Sequence, residues 1–202
     1  MNQTSETKKT VPAVAEPAPL GLIGLAVAAL VLASTDLGMA SASALSLMIP
    51  WTMFVGATAQ LIAGLMEFRR NNVFGATTFT TYSFLWYSVS ITLLITIFTN
   101  VTFDLTHYAY GLLGFFIFSV ILTVASLMTN TTLVLILVGI DGALGSLVAN
   151  LLAKTPSVIV GGFLLLVSVL SFYGAAAILL NSMSGRVVLP VGRPLWRPRG
   201  GA

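Results

Sequence analysis

The sequence has few of the residues that most enzyme sites are built from. It has no cysteine and one histidine, His107, among 202 residues. Disulfides, thiolate nucleophiles and cysteine-based metal sites are therefore excluded, and one histidine cannot form a histidine cluster. Charged residues make up only 7% of the chain, whereas a soluble domain carries roughly 25%. This deficit, with 57% hydrophobic residues, places the chain in the lipid bilayer.

Known catalytic and cofactor-binding motifs are also missing from the sequence. There is no HExxH metal-binding spacing and no phosphate-binding glycine loop. We therefore expect no enzyme activity, no metal and no cofactor. The net charge is +3, but the basic residues stand at the ends of apolar segments. Such a distribution is typical of orientation signals in membrane proteins and not of a nucleic-acid-binding face.

Six apolar stretches are long enough to cross a bilayer, which takes about 20 residues as a helix. The predicted spans are 18–40, 45–68, 76–99, 108–128, 131–152 and 157–182. The sequence thus predicts an all-α polytopic membrane protein with a six-helix domain at 17–183. Because the flanking segments 1–16 and 184–202 are rich in Pro, Gly or charge, we expect them to be poorly ordered.

The basic residues predict the direction of the six spans. With an even number of helices, eight of the nine fall on one side of the membrane and only Lys154 falls on the other. The eight are Lys8, Lys9, Arg69, Arg70, Arg186, Arg193, Arg197 and Arg199. The positive-inside rule then places both termini in the cytoplasm and the protein in the cytoplasmic membrane.

Polar residues inside the third span form the clearest candidate pathway. Thr77, Thr81, Ser88 and Thr92 fall near one another on a helical wheel, with Gln60 of helix two as a candidate neighbour. Such a hydroxyl stripe can replace part of the hydration shell of a small polar solute. The alternative is that each hydroxyl bonds the carbonyl one turn back, as hydroxyls in membrane helices often do.

Asp141 is the one acid predicted to lie deep in the membrane. A charged Asp at a helix centre costs about 2.5–3.5 kcal/mol on insertion scales, so its presence needs a reason. Gly139, Gly142 and Gly145 flank it and leave room for another backbone or for water. Asp141 is either an acid that lines the pathway and relays protons or a structural acid hydrogen-bonded between helices or subunits.

Two further acids lie near the ends of predicted helices. Glu16 stands at the start of helix one, where a carboxylate favours the positive end of the helix dipole. Glu67 is close to Arg69 and Arg70, which predicts an ion pair. Small residues such as Gly24 recur at spacings that let membrane helices pack closely.

Three motifs resemble those of the acetate uptake transporter family, which includes succinate–acetate permeases and fungal relatives. EPAPLGL at 16–22 is similar to the family signature NPAPLGL, and AQLIAGLMEFRRNNVFGATTFTTYSFLW at 59–86 resembles the helix two to helix three region. SGRVVLPVG at 184–192 resembles the C-terminal motif. The first motif comprises Glu16, Pro17, Ala18, Pro19, Leu20, Gly21 and Leu22.

The resemblance implies six helices per subunit, a pore in each subunit and a hexameric ring. It also implies passage of acetate and similar small carboxylates, including succinate, with proton coupling in the transporters of the group. By motif alignment the family's narrow apolar constriction corresponds to Leu25, Tyr82 and Val138. Leu25 departs from the aromatic residue of well-known members, and Glu16 replaces the signature Asn.

Three functions remain open at this point. The first is a permease or channel for small carboxylates. The second is a passive pore for another small solute such as ammonia. The third is a membrane sensor or scaffold without transport, which would bind a partner through its basic C-terminal tail.

Overall fold

The computed structural model describes residues 14–41, 45–99 and 104–197. In these ranges the protein is all-helical, and six helices are long and apolar enough to cross a membrane. They are α1 (Ala18–Asp36), α2 (Leu45–Arg69), α3 (Val73–Thr99), α4 (Thr106–Ser126), α5 (Thr131–Ala153) and α6 (Ser157–Ser184). The six predicted spans are confirmed, with ends that differ by a few residues.

The six helices form a closed ring rather than a two-layer bundle. Large contacts join α3 to α2, α2 to α1, α1 to α6, α6 to α5 and α5 to α4. A smaller contact between α4 and α3 closes the ring. Since each helix satisfies its own backbone hydrogen bonds, the ring can stand in hydrocarbon, and its interior is free to enclose polar groups.

The first turn of α1 is built by the proline-rich motif. Pro17 is the residue that caps α1, and Pro19 lies in the first turn, where a missing N–H costs nothing because it would have no intrahelical partner. The free N–H of Ala18 donates to Oε1 of Glu16 at 3.3 Å. The motif therefore starts a helix and satisfies one of its unpaired donors.

Helix α2 contains a π-helical segment that hydropathy did not predict. The segment spans Trp51–Thr58 and begins directly after Pro50, which cannot donate a backbone hydrogen bond. The hydroxyl of Thr58 donates to the carbonyl of Met53, five residues back, at 3.0 Å. Within this segment Gly56 packs against Ala28 of α1, where a Cβ atom would lie 2.7 Å from the Ala28 Cβ.

The segment after α6 folds back onto the bundle, which differs from the predicted poorly ordered tail. The amide N–H of Thr132 donates to the carbonyl of Val191 at 3.0 Å, and those of Leu195 and Trp196 both donate to the carbonyl of Leu127 at 2.9 Å. These are unpaired groups at the start of α5 and the end of α4, so an extended chain can satisfy them. The predicted tail residues 1–13 and 198–202, with Lys8, Lys9 and Arg199, lie outside the described residues.

Close packing of α1 on α2 generates the first prediction. A Cβ on Gly24 would lie 2.7 Å from the carbonyl oxygen of Val55, so Gly24→Ala forces the two backbones apart. We expect a loss of about 1–3 kcal/mol of stability, seen as a lower melting temperature in detergent. Gly114→Ala is the matched control because nothing lies within 4 Å of its added Cβ. Equal melting temperatures for Gly24→Ala and wild type would contradict this packing.

Candidate functional site

The helix ring encloses two cavities that follow each other along its axis. The Gln60 cavity, of about 70 Å³, lies at the end where α1, α3 and α5 begin, and Ala18, Gly75 and Leu133 mark that end. The Trp86 cavity, of about 50 Å³, lies toward the opposite end, with Leu32 and Leu147 in its wall. A water molecule needs about 10–15 Å³ by the same measure, so each cavity has room for a few heavy atoms.

A single layer of three side chains separates the two cavities. Leu25 of α1, Tyr82 of α3 and Ile140 of α5 are the residues that line both. Their exposed fractions are 6%, 2% and 7%. We call these three residues the constriction layer. It is apolar except for the Tyr82 hydroxyl, and any solute that moves from one cavity to the other must pass it.

The α5 member of this layer differs from the sequence prediction. Val138 lines neither of the two cavities and is 49% exposed on the outside of the ring. Successive helical residues turn by about 100°, so residues two apart face nearly opposite directions. Ile140 therefore lies inside where Val138 lies outside, so Ile140 and not Val138 is the α5 residue between the two cavities.

The Tyr82 hydroxyl is the first member of a hydrogen-bond chain that runs through α4 to α5. It donates to Oγ of Ser119 at 2.8 Å, and Ser119 in turn donates to Oδ1 of Asp141. The hydroxyl of Thr123 donates to Oδ2 of the same carboxylate at 2.7 Å. The rings of Phe118 and Tyr82 make an edge-to-face contact, with their centroids 5.8 Å apart. The layer thus presents the Tyr82 ring, and not its hydroxyl, to the cavities.

Asp141 lies between α4 and α5 and lines neither cavity. Of the two roles left open by the sequence, this position favours an acid hydrogen-bonded between helices. The flanking glycines serve packing: a Cβ on Gly139 would lie 2.9 Å from a methyl of Val167, and one on Gly145 would lie 3.3 Å from the ring of Phe116.

The Gln60 cavity holds polar groups that have no protein partner. Gln60 is completely buried, and among the described residues neither its amide nitrogen nor its amide oxygen has a hydrogen-bond partner. The same is true of the Thr78 hydroxyl. An unpaired buried polar group costs about 1–3 kcal/mol, so an occupant that accepts and donates hydrogen bonds here would recover that cost.

Glu67 is a cavity residue for which the sequence predicted another role. It is only 1% exposed, lines the Gln60 cavity and accepts a 3.0 Å hydrogen bond from Nδ2 of Asn72. Arg70 pairs instead with Glu16, at 2.6 Å. The predicted ion pair of Glu67 with an adjacent arginine is therefore wrong. The turn after α2 instead brings the side-chain amide of Asn72 within hydrogen-bonding distance of the Glu67 carboxylate.

The predicted hydroxyl stripe of α3 lines neither cavity. Thr77 and Thr81 are half-buried outside the cavity walls, and Ser88 is exposed and donates to the carbonyl of Phe84 at 2.8 Å. Thr92 borders a separate surface pocket with Asp104. The cavity hydroxyl is that of Thr78, one residue away from the predicted position. Thr78 is four residues before Tyr82, so both lie on one helix face. This spacing could have identified Thr78 from the sequence.

The EPAPLGL motif contributes to the wall of the Gln60 cavity as well as to the helix start. Ala18 and Leu22 line the cavity, and Leu20 is exposed on the outside of the ring. Gly21 admits the ring of Phe79, whose Cδ1 would lie 2.6 Å from an added Cβ. The motif thus places α1 against α3 at the cavity mouth.

The part of the chain that the structure describes contains no group of three or more His, Asp or Glu side chains that could hold a metal ion. The Gln60 cavity offers the amide of Gln60, the hydroxyl of Thr78 and the carboxyl group of Glu67 for hydrogen bonding, and the constriction layer offers steric selection. Such a lining can bind and pass a small polar solute.

Comparison with known proteins gives consistent matches over nearly the whole chain. The profile of the GPR1/FUN34/yaaH family matches residues 2–193. The succinate-acetate/proton symporter SatP of Escherichia coli K12 is 29% identical over 185 residues, which cover 88% of this chain and 95% of that protein. Acetate permease A of Emericella nidulans is 28% identical over 206 residues, which cover 93% of this chain and 69% of that protein.

A solved structure described as the bacterial acetate channel SatP has the same fold. Its TM-score is 0.82 at 26% sequence identity, and the match covers 89% of this chain and all of that chain. These relatives are named as a symporter, a permease and a channel, which agrees with the prediction that the protein is not an enzyme. The chain belongs to the GPR1/FUN34/yaaH family, the group of acetate uptake transporters that its three sequence motifs resemble.

Proposed function

We propose that this integral membrane protein passes acetate and related small carboxylates, with succinate as a larger candidate, through a conduit inside each subunit. The observation that carries the proposal is the Gln60 cavity, where an unpaired amide and an unpaired hydroxyl stand beside an apolar constriction. The names of the relatives support acetate as the solute.

Gln60 and Thr78 take over hydrogen bonds that a carboxylate loses when it leaves water. The amide offers two N–H donors and the hydroxyl one, and these match the acceptor oxygens of a carboxylate. The constriction layer then admits a solute of limited width without offering it a polar group. Selectivity follows from the width of that layer and from the donors beside it, as in other membrane pores.

Glu67 favours passage of the carboxylate together with a proton. Its side chain lies in the wall of the same cavity as Gln60, so a second, unprotonated carboxylate there would meet like-charge repulsion at low dielectric. A proton shared between the two carboxyl groups removes that repulsion and adds a hydrogen bond. We therefore propose Glu67, and not Asp141, as the acid in direct reach of the solute.

Charge and exposure support the remaining expectations about topology and assembly. Within the described residues Arg69, Arg70 and Arg186 lie at the end of the ring where α2 and α6 end, and Lys154 lies at the other. We propose that the arginine-bearing end faces the cytoplasm and that the protein resides in the plasma membrane. We also propose a homohexamer, as the family resemblance implies, with a pore in each subunit. Native mass spectrometry of the detergent-solubilised protein tests the subunit number.

The position of the constriction is tested by two phenylalanine substitutions two residues apart. Ile140→Phe fills the layer between the cavities, and we expect acetate uptake to fall by about tenfold or more because the path is narrowest there. Val138→Phe enlarges a side chain on the outer face and should retain most uptake if the protein still assembles. Loss of uptake in Val138→Phe with uptake retained in Ile140→Phe would place Val138, and not Ile140, in the constriction.

The role of Gln60 is tested by Gln60→Leu, which keeps the approximate size and removes the amide. Loss of a hydrogen bond to a charged group is worth about 1.5–3 kcal/mol, so the KM for acetate should rise by about 10- to 100-fold. Thr77→Val is the control, since that hydroxyl lines neither cavity. An unchanged KM for Gln60→Leu in radiolabelled uptake would exclude the amide from the pathway.

The function itself is tested in proteoliposomes with radiolabelled acetate, with and without an imposed pH gradient. We expect acetate flux that a gradient acidic on the entry side accelerates. Flux of ammonia or urea without acetate would favour the passive-pore alternative. The absence of any flux, together with a partner captured by residues 184–202, would favour the sensor or scaffold.

A further inference from the structure

The hydrogen-bond chain behind the constriction has a fixed direction. A carboxylate only accepts hydrogen bonds, and both oxygens of Asp141 accept one, from Ser119 and from Thr123. A serine hydroxyl has one proton, which Ser119 gives to Asp141. Ser119 can therefore only accept from Tyr82, and the Tyr82 hydroxyl must donate toward α4.

This direction keeps the polar end of Tyr82 out of the conduit. Ser119 is completely buried and, like Thr123 and Asp141, lines neither the Gln60 cavity nor the Trp86 cavity. Tyr82 is 2% exposed and packs edge-on against Phe118, so its ring is held at one end by the hydroxyl and along one side by an aromatic contact. A ring released from Ser119 would keep the contact with Phe118 but lose the hydrogen bond that fixes its hydroxyl end.

We propose that Asp141 is a positioning residue that acts through Ser119 on Tyr82 and thereby sets the width of the constriction and the size of carboxylate that passes. The inference rests on the proposed conduction past the constriction layer. It gives a role to an acid for which the family motifs supplied none. The hydrogen bond from Thr123 already joins Asp141 to α4. The bond from Ser119 in addition connects Asp141 to the Tyr82 hydroxyl.

A double-mutant cycle tests this coupling with the ratio of butyrate uptake to acetate uptake as the measured quantity. Ser119→Ala removes the acceptor of the Tyr82 hydroxyl, and Asp141→Ala removes the group that orients the Ser119 hydroxyl. We expect each to raise the ratio by about three- to tenfold, which is within the range of coupling between residues in contact. Tyr82→Phe removes the hydroxyl itself and should raise the ratio similarly. Added to Tyr82→Phe, neither alanine substitution should raise it further.

Thr123→Ala is the matched control for a purely structural role. It removes the other hydrogen bond of Asp141 but leaves the link from Ser119 to Tyr82 in place. We expect it to lower the melting temperature without changing the uptake ratio. If Asp141→Ala does not assemble, Asp141→Asn takes its place in the cycle, because it keeps the size of the side chain and replaces the carboxylate that fixes Ser119 as a donor.

Two results would overturn the positioning role. The first is an unchanged uptake ratio in Ser119→Ala or in the Asp141 variant that assembles. The second is a change in the uptake ratio that is as large when the alanine substitution is made in Tyr82→Phe as when it is made in the wild type. Such a change would not depend on the Tyr82 hydroxyl. Failure of the proposed function is distinguishable, because wild-type protein would then take up no acetate at all.

Discussion

The structure depends on the cost of leaving polar groups unpaired in a medium that has no water. Most buried hydroxyls meet this constraint by bonding a nearby carbonyl: Ser90 donates to Trp86, and Ser168 donates across to Ala26 of α1. In the described part of the chain, five buried side-chain atoms remain unpaired. Three of them belong to Gln60 and Thr78, and both residues line one cavity. Most of the unused hydrogen-bonding capacity of these buried side chains therefore lies in one cavity.

The same constraint explains the ring. Each helix satisfies its own backbone, so no element needs to fill the centre, and α1, α3 and α5 can each supply one side chain to a single layer. Only this layer separates the two cavities. The donors of Gln60 and Thr78 lie on one side of this layer, and the Trp86 cavity on the other side is lined almost entirely by apolar side chains. The one polar atom of the layer is the Tyr82 hydroxyl oxygen, and its hydrogen bond to Ser119 directs it toward α4.

Hydropathy predicted the helices well, because about 20 apolar residues in a row have one stable structure in a bilayer. The motif resemblance also led to Leu25 and Tyr82, which lie between the cavities. The inward-facing positions differ from the prediction. Ile140 lines the cavities in place of Val138, and Thr78 lines the Gln60 cavity in place of Thr77 and Thr81. A helix that is apolar on every side gives no signal for which face points inward, so an error of one or two residues moves a side chain to the outside.

Two other features depend on contacts between distant residues and were not predictable from local patterns. The segment after α6 was predicted to be poorly ordered because it is rich in Pro, Gly and charge, yet hydrogen bonds to the carbonyl of Leu127 and from the N–H of Thr132 hold residues of this segment against the helices. Glu67 looked paired because two arginines follow it, but the turn after α2 supplies Asn72 instead and leaves Arg70 to Glu16. In both cases the partner became known only from the fold.

The absence of native cysteine makes one measurement especially direct. Thr78→Cys places a thiol in the Gln60 cavity, and Leu147→Cys places one in the Trp86 cavity. If the constriction layer separates two parts of one conduit, a small charged thiol reagent should modify each from opposite sides of the membrane, and both modifications should block acetate flux. Modification of both thiols from the same side, or full flux after modification, would contradict the account.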